Sequence, residues 1–240
     1  PPVRRILRQF TPDTLFCQSP ATYAYFEKLR MWPWFLPSGV DTNRFQPVSA
    51  GYKSVLRRKH GLPLGEYLVF HAGHLTSARN TGLLAQLEGV GARGVMLAGS
   101  SMGADPRLKT HLESEGVIVI DRYVERVEEL YQAADAYLFP VRTADSAMEF
   151  PLSVLEAMAC NLPVVAHPYG GLPLALRAGD GLTFADTDET MLAAIVAARD
   201  STEPIDTRAQ ALNLTWERVA GRLLEATDVK RDAGTIAAKV

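Results

Sequence analysis

The sequence has little of what marks several protein classes. Only two cysteines, Cys17 and Cys160, occur in 240 residues, and both lie in apolar runs. Two buried reduced thiols are therefore expected, rather than a disulfide framework. No apolar run reaches the roughly 18 residues that a membrane span needs, and no signal peptide is visible. We expect a cytoplasmic protein, with the inner face of the membrane as an alternative location.

Charge and metal-binding patterns exclude further classes. The formal net charge of -2 leaves no basic footprint for nucleic acid, so no nucleic-acid partner is expected. The five histidines form no His-x-x-x-His pair and the cysteines no Cys-x-x-Cys pair, so no metal site is predicted. Gly-x-Ser-x-Gly and Walker-type phosphate loops are also missing. With 47% apolar and 22% charged residues, the chain has the composition of an ordinary globular protein.

From residue 67 onward, short apolar runs alternate with helical stretches. The strand candidates are 67–71, 94–98, 117–120, 136–139, 164–166 and 182–184. The helix candidates are 81–89, 106–115, 124–134, 152–160 and 172–178. This alternation predicts an α/β fold, a Rossmann-like parallel sheet with helices on both faces. Ligands of such sheets bind beyond the carboxyl ends of the strands.

The stretch 148–165, MEFPLSVLEAMACNLPVV, is the most informative segment. It reads as a loop, a helix, a turn and a buried strand. The backbone N–H groups of Leu152 and Ser153 would start the helix unpaired and could bind an anion, whereas Pro151 has no N–H. Glu156 lies one turn further, where a carboxylate is costly without a partner or a function. An ion pair for Glu156 and a simple capping role for Ser153 are the alternatives.

The same residues carry a family resemblance. FPLSVLEAMACNLPVV, the later Gly170-Gly171-Leu172-Pro173, and PSGVDTNRF at 37–45 together resemble the donor-binding half of retaining GT-B glycosyltransferases. The resemblance implies transfer of a sugar from a nucleoside-diphosphate sugar to a glycan or lipid-linked acceptor hydroxyl, with retention. It implies no metal and no cofactor besides that substrate.

The resemblance also divides the chain. Residues 1–36 are expected to be a remnant of an N-terminal acceptor domain, residues 37–228 the nucleotide-sugar-binding domain, and residues 229–240 a tail. The chain begins Pro1-Pro2 without a methionine, which indicates an excised or processed piece. Such a piece is expected to be inactive in sugar transfer without the full N-terminal domain.

In the family, two basic side chains after the first strand hold the diphosphate. Here His74 and Arg79 occupy those positions, and Gly73 would let the backbone approach the ligand. The planar guanidinium of Arg79 suits phosphate, and the resemblance implies a catalytic role for it. The alternatives are a solvated loop charge for Arg79 and a polar strand-end residue for His74.

Two acids separated by seven residues are the other family feature. The downstream acid, which binds the ribose, is Glu156. The upstream acid, which contacts the donor sugar, falls at Met148, and an acid follows one place later at Glu149. Glu149 is therefore the second catalytic candidate, with an exposed loop acid as the alternative reading.

Two weaker sites complete the candidates. Gly99-Ser100-Ser101 corresponds to a Gly-rich loop near the donor, or to an ordinary turn. Arg122, Tyr123 and Val124 follow the next strand, where the family cradles the nucleobase, although plain packing explains them equally.

Two other classes of function stay open. One is another GT-B enzyme, a phosphorylase or a nucleotide-sugar epimerase. The other is a non-catalytic nucleotide-binding module, which a site without a second acid would favour. Peripheral membrane contact and a homodimer are open as well.

Overall fold

The predicted apolar runs form a parallel sheet. The structure is a computed structural model that describes residues 12–99, 105–144 and 146–228. Two short strands, β1 (Phe16–Cys17) and β2 (Trp34–Phe35), pair in parallel near the start of the chain. The main sheet contains β3 (Leu68–Gly73), β4 (Arg93–Ala98), β5 (Ile118–Ile120), β6 (Ala136–Phe139), β7 (Val164–Ala166) and β8 (Leu182–Phe184). All neighbouring strands in it are parallel.

Helices connect these strands. They are α1 (Pro20–Glu27), α2 (Ala50–His60), α3 (Pro106–Ser114), α4 (Glu128–Ala133), α5 (Leu152–Ala159), α6 (Leu172–Ala175), α7 (Asp188–Asp200), α8 (Thr207–Ala211) and α9 (Trp216–Asp228). Four 3₁₀ helices span Ser77–Arg79, Thr81–Gln86, Glu88–Val90 and Leu212–Leu214. In the part of the chain that the structure describes, no helix is long and apolar enough to cross a membrane.

The sheet is covered on both faces, as the alternation predicted. Phe70 of β3 belongs to a core cluster with Leu130 of α4 and Leu155 of α5. Its neighbour Val69 belongs to a second cluster, which includes Met191 of α7. Successive strand residues point to opposite faces, so each buried strand supplies both cores. The Rossmann-like α/β fold predicted from the sequence is therefore confirmed.

The strand order places a switch point at the centre of the sheet. The order is β5-β4-β3-β6-β7-β8, so the chain runs outward in one direction from β3 and in the other from β6. The loops that leave β3 and β6 therefore diverge to opposite sides. Such a divergence opens a crevice at the carboxyl ends of the two strands, which is where ligands bind in open α/β sheets.

Three predicted helices differ in the structure, and one of them, predicted at 172–178, ends at Ala175. Residues 81–89 form 3₁₀ turns with i→i+3 bonds such as Leu87 N–H to Leu84 O at 3.3 Å, rather than an α-helix. Glycines at 82 and 89 weaken an α-helix there, while Leu83 and Leu84 are buried regardless of helix type. The helix predicted at 124–134 begins only at Glu128. Both cysteines are free and buried, as expected.

Candidate functional site

A cleft of about 270 Å³ opens at the switch point, between the ends of β3 and β6 and the start of α5. Its lining includes six residues predicted from the sequence, Gly73, Arg79, Pro151, Leu152, Ser153 and Glu156. It also includes six that were not predicted as site residues, Ala72, Val127, Tyr131, Phe139, Ala147 and Met148. The structure therefore brings together residues that lie up to 84 positions apart in the sequence, from Ala72 to Glu156.

The loop after β3 delivers Arg79 to this cleft. Its guanidinium lies so close over Gly73 that a Cβ atom on that glycine would collide with it. A side chain at position 73 would therefore have to displace the end of the arginine side chain. Arg79 is half-buried, and burial lowers the pKa of its guanidinium, although an arginine stays charged. Within the described residues no carboxylate forms an ion pair with Arg79, so its charge is available to an anion.

His71 lies beside Arg79 and is fully buried. Its Nδ1–H donates to the carbonyl oxygen of Leu138 at 2.8 Å, and its buried Nε2 has no hydrogen-bond partner among the described residues. The pKa of His71 is lowered to about 4, mainly by burial and in part by the charge of Arg79, while the hydrogen bond to Leu138 acts against this lowering. His71 is therefore neutral at physiological pH. It adds no second positive charge to the cleft.

Helix α5 begins at the opposite wall. Pro151, in an extended conformation, is its N-cap and makes no side-chain cap bond. The amides of Leu152 and Ser153 lie in the first turn, where no intrahelical acceptor exists. Ser153 does not cap the helix, because it is the second residue inside it, and its hydroxyl forms a hydrogen bond with the buried phenol of Tyr137. The helix start therefore presents free N–H groups to the same cleft as Arg79.

Glu156 lies one turn further along α5 and is partly buried. Burial raises the pKa of its carboxyl, and a hydrogen bond from Tyr131 and the charge of Arg44 act against that rise. The Tyr131 hydroxyl donates to Glu156 Oε2 at 2.6 Å. The alternative of an ion pair is not seen in the described residues, since Arg44 pairs with Glu128 Oε2 at 2.9 Å instead. One carboxylate oxygen of Glu156 thus accepts from Tyr131, and the other is available to a ligand.

Several predicted residues lie outside the lining. Tyr123 is 80% exposed, Arg122 is exposed, and Val124 packs against the core, so none of the three lines the cleft. Val127, three residues later, lines it instead. His74 follows β3 with its Nδ1 buried and is not in the lining. Gly99 directly follows β4, and Ser100 and Ser101 lie outside the described residues.

Met148 and Glu149 point in different directions. Met148 lines the cleft and is 55% exposed. The carboxylate of Glu149 accepts a hydrogen bond from Ser19 Oγ at 2.8 Å and another from Thr22 Oγ1. The one-residue shift seen in the sequence is therefore not absorbed by the loop. The side chain that lines the cleft is a thioether, and the acid faces the N-terminal segment.

Among the residues that the structure describes, no group of three or more His, Cys, Asp and Glu side chains could hold a metal ion. The cleft offers a cation, two helix-start amides and a hydrogen-bonded carboxylate. Tyr131, which orients that carboxylate, carried no sequence signal, because it is 25 residues away from Glu156.

Comparisons with known proteins show the family to which the chain belongs. The family model described as glycosyl transferases group 1 matches residues 69–199. The chain therefore belongs to the group 1 glycosyl transferases. It is 30% identical over 222 residues to a D-inositol 3-phosphate glycosyltransferase of Actinosynnema mirum, covering 82% of this chain and 52% of that protein.

Solved structures show the same fold. HepE of Anabaena, in complex with UDP and glucose, matches with a TM-score of 0.74 at 17% identity, over 93% of this chain and 65% of that one. Sucrose-phosphate synthase of Thermosynechococcus elongatus matches with a TM-score of 0.73 at 20% identity, over 93% and 59%. The chain covers 52% of the Actinosynnema mirum protein and 46% of a D-inositol 3-phosphate glycosyltransferase of Geodermatophilus obscurus, about half the length of each. The GT-B resemblance read from the sequence is confirmed.

Proposed function

We propose that the cleft binds the nucleoside diphosphate of a nucleotide-sugar donor, and that the chain is the donor-binding half of a glycosyltransferase. The observation that carries the proposal is the convergence of Arg79 with the amides of Leu152 and Ser153 in one cleft. A half-buried guanidinium without a carboxylate partner among the described residues is suited to phosphate. Sugar transfer requires stabilisation of the departing diphosphate, and these groups supply it as fixed donors.

Glu156 is assigned to the ribose. A carboxylate accepts hydrogen bonds from two neighbouring hydroxyls, and the bond from Tyr131 holds its orientation. Val127 lines the cleft four residues before Tyr131 and offers an apolar surface for the base. In this proposal Arg79 touches the reacting diphosphate. Glu149 is not assigned to the donor, because its carboxylate is held outside the cleft by Ser19 and Thr22. Among the described residues no second acid lines the cleft, and this observation favours the alternative of a non-catalytic module.

The reaction proposed is transfer of the sugar to an acceptor hydroxyl with retained anomeric configuration, without a metal or a cofactor. Its support is the family membership of residues 69–199 and the names of the relatives, which are glycosyltransferases. The identity of the base, the sugar and the glycan or lipid-linked acceptor is not assigned. The division at residue 36, a cytoplasmic location, peripheral membrane contact and a homodimer stay predictions.

Titration calorimetry with UDP, GDP and ADP, and with a sugar conjugate of each, tests the proposal. One nucleoside diphosphate should bind with the affinity unchanged by EDTA, and its sugar conjugate should compete with it. Binding of inorganic phosphate in preference to every nucleotide would favour a phosphorylase. For the full-length protein, the anomeric proton coupling of the transferred sugar decides retention, and nucleotide binding without transfer would favour a non-catalytic module.

A further inference from the structure

The segment between β1 and β2 is attached to the loop that opens α5, and Glu149 is the centre of that attachment. Its carboxylate accepts from the hydroxyls of Ser19 and Thr22, of which Ser19 is the N-cap of α1 and is buried. Ser19 Oγ also accepts from Thr22 N–H at 3.1 Å, so the start of α1 and the carboxylate form one hydrogen-bonded group. A negative charge at a helix N-terminus is favourable.

The backbone of the same residue makes a second attachment. The carbonyl oxygen of Glu149 accepts from Gly171 N–H at 2.8 Å. Gly170 has φ of 56°, and a Cβ atom on it would collide with that carbonyl group. A Cβ atom on Gly171 would collide with the carbonyl oxygen of Gln18. Because both residues lack a Cβ atom, the backbone at Gly170 and Gly171 can pack directly against the backbone of Glu149 and of Gln18.

The next residue of the loop is fixed in the same way. Ser38 Oγ donates to the carbonyl oxygen of Phe150 at 3.1 Å, and Gln18 Nε2 donates to Ser38 Oγ at 3.2 Å. The Phe150 ring is fully buried, with its centroid 6.2 Å from that of Phe35 of β2. Glu149 and Phe150, the two residues before the N-cap of α5, are thus both attached to the segment 17–38.

We propose that Glu149 is a positioning residue that couples α1 to the start of α5, and so sets the placement of the amides that receive the diphosphate. A displacement of α1 would be transmitted through Glu149 to Pro151 and Leu152, since these residues follow Glu149 at the second and third positions of the chain. This inference rests on the proposed function where it names the diphosphate. The coupling of the two segments itself does not depend on a ligand.

The variants separate this role from a direct contact with substrate. Glu149→Ala removes the acceptor, and Thr22→Val removes one donor at constant shape. Glu149→Gln keeps an amide oxygen that can accept from both hydroxyls. Glu27→Ala, an exposed acid on the same helix, is the matched control.

Two measurements are made on each variant. Hydrogen exchange by mass spectrometry, without nucleotide, follows peptides covering 17–27 and 148–156. Calorimetry then compares the best-binding nucleoside diphosphate among UDP, GDP and ADP with its nucleoside. We expect Glu149→Ala and Thr22→Val to speed exchange in both peptides and to weaken diphosphate binding by about three- to tenfold, with nucleoside binding unchanged. A double variant, Glu149→Ala with Thr22→Val, should bind the diphosphate no more weakly than Glu149→Ala alone. Glu149→Gln and Glu27→Ala should show nearly the same exchange and diphosphate binding as the parent chain.

Either of the first two results below would overturn the proposal, whereas the third would overturn only the proposed function. If Glu149→Gln is as damaging as Glu149→Ala while Thr22→Val is silent, the charge of Glu149 acts on the substrate. If diphosphate and nucleoside binding fall equally, or exchange in 148–156 is unchanged, the attachment does not position α5. If no nucleotide binds the parent chain, the proposed function fails, and the exchange of the two peptides still decides the coupling.

Discussion

The phenol of Tyr131 and the carboxylate of Glu156 form a 2.6 Å hydrogen bond across the helices α4 and α5. Tyr131 is fully buried, and its ring packs edge-on against Phe70 and Phe45, with centroids 4.8 and 5.6 Å away. The hydroxyl is therefore held in one place by packing on the ring. The acid assigned to the ribose is oriented by the protein core rather than by a flexible ion pair.

Replacing Tyr131 by Phe should keep the packing and remove the bond. Glu156 then loses a donor to its charged form, so its pKa should rise and its carboxylate should be less well oriented. We expect a loss of about 1–3 kcal/mol in ribonucleotide binding. Calorimetry measures it, and a Tyr131→Phe/Glu156→Gln double variant shows whether the loss passes through Glu156. Additive losses in that cycle would mean that the two side chains act separately.

Glu156→Gln should have opposite effects on binding and on stability. The pKa of Glu156 is raised, so its contribution to stability is present below the unfolded value of 4.5 and is lost as the pH rises through the folded value. At pH 7 the glutamine variant should therefore unfold at a higher denaturant concentration than the parent chain, and the difference should vanish below pH 4.5.

The same variant should bind ribonucleotides more weakly, because an amide accepts hydrogen bonds only through its oxygen. The matching 2′-deoxynucleotide is the control ligand. Equal losses for both ligands, or a variant that is less stable at pH 7, would make Glu156 a structural residue.

A pH dependence of stability is expected from His71. Its pKa is lowered by burial from 6.5 to about 4, so the unfolded chain binds its proton more tightly. The contribution of His71 to stability is complete above pH 6.5 and is lost as the pH falls from there toward 4. Denaturant midpoints at pH 7 and 5.5 should differ more for the parent chain than for His71→Asn. An identical pH dependence in both chains would contradict the assignment.

The fold followed from local patterns, and the helix differences came from tertiary packing. Continuous apolar runs and turn spacing predicted all six strands of the main sheet. Residues 81–89 have the apolar spacing of a helix, but their leucines are equally buried in 3₁₀ turns. The helix predicted at 124–134 begins only at Glu128, directly after Val127, which lines the cleft, and local propensity does not encode this start.

The parts of the site that come from one helix were also predictable from local sequence patterns. Leu152, Ser153 and Glu156 lie in the first turns of one helix, so their spacing in the sequence is enough to predict that they are close together. Tyr131, His71 and Val127 come from other elements and meet the site only through the sheet order. Glu149 shows the remaining limit, because a one-residue shift decides which of two neighbours, Met148 or Glu149, lines the cleft.

The charge of Arg79 carries the central claim, that this cleft binds a diphosphate. Arg79→Ala should weaken nucleoside diphosphate binding by about 1.5–3 kcal/mol and leave nucleoside binding nearly unchanged, because a charge-assisted hydrogen bond to phosphate is lost. Arg126→Ala is the control, since that exposed arginine pairs with Glu128 and lies outside the cleft lining.

Calorimetry of both ligands on the parent chain and the two variants is the most direct measurement. The account predicts a selective loss for the diphosphate in Arg79→Ala only. Equal losses for diphosphate and nucleoside, or unchanged binding of both, would show that Arg79 does not contact the diphosphate and that the site has been placed wrongly.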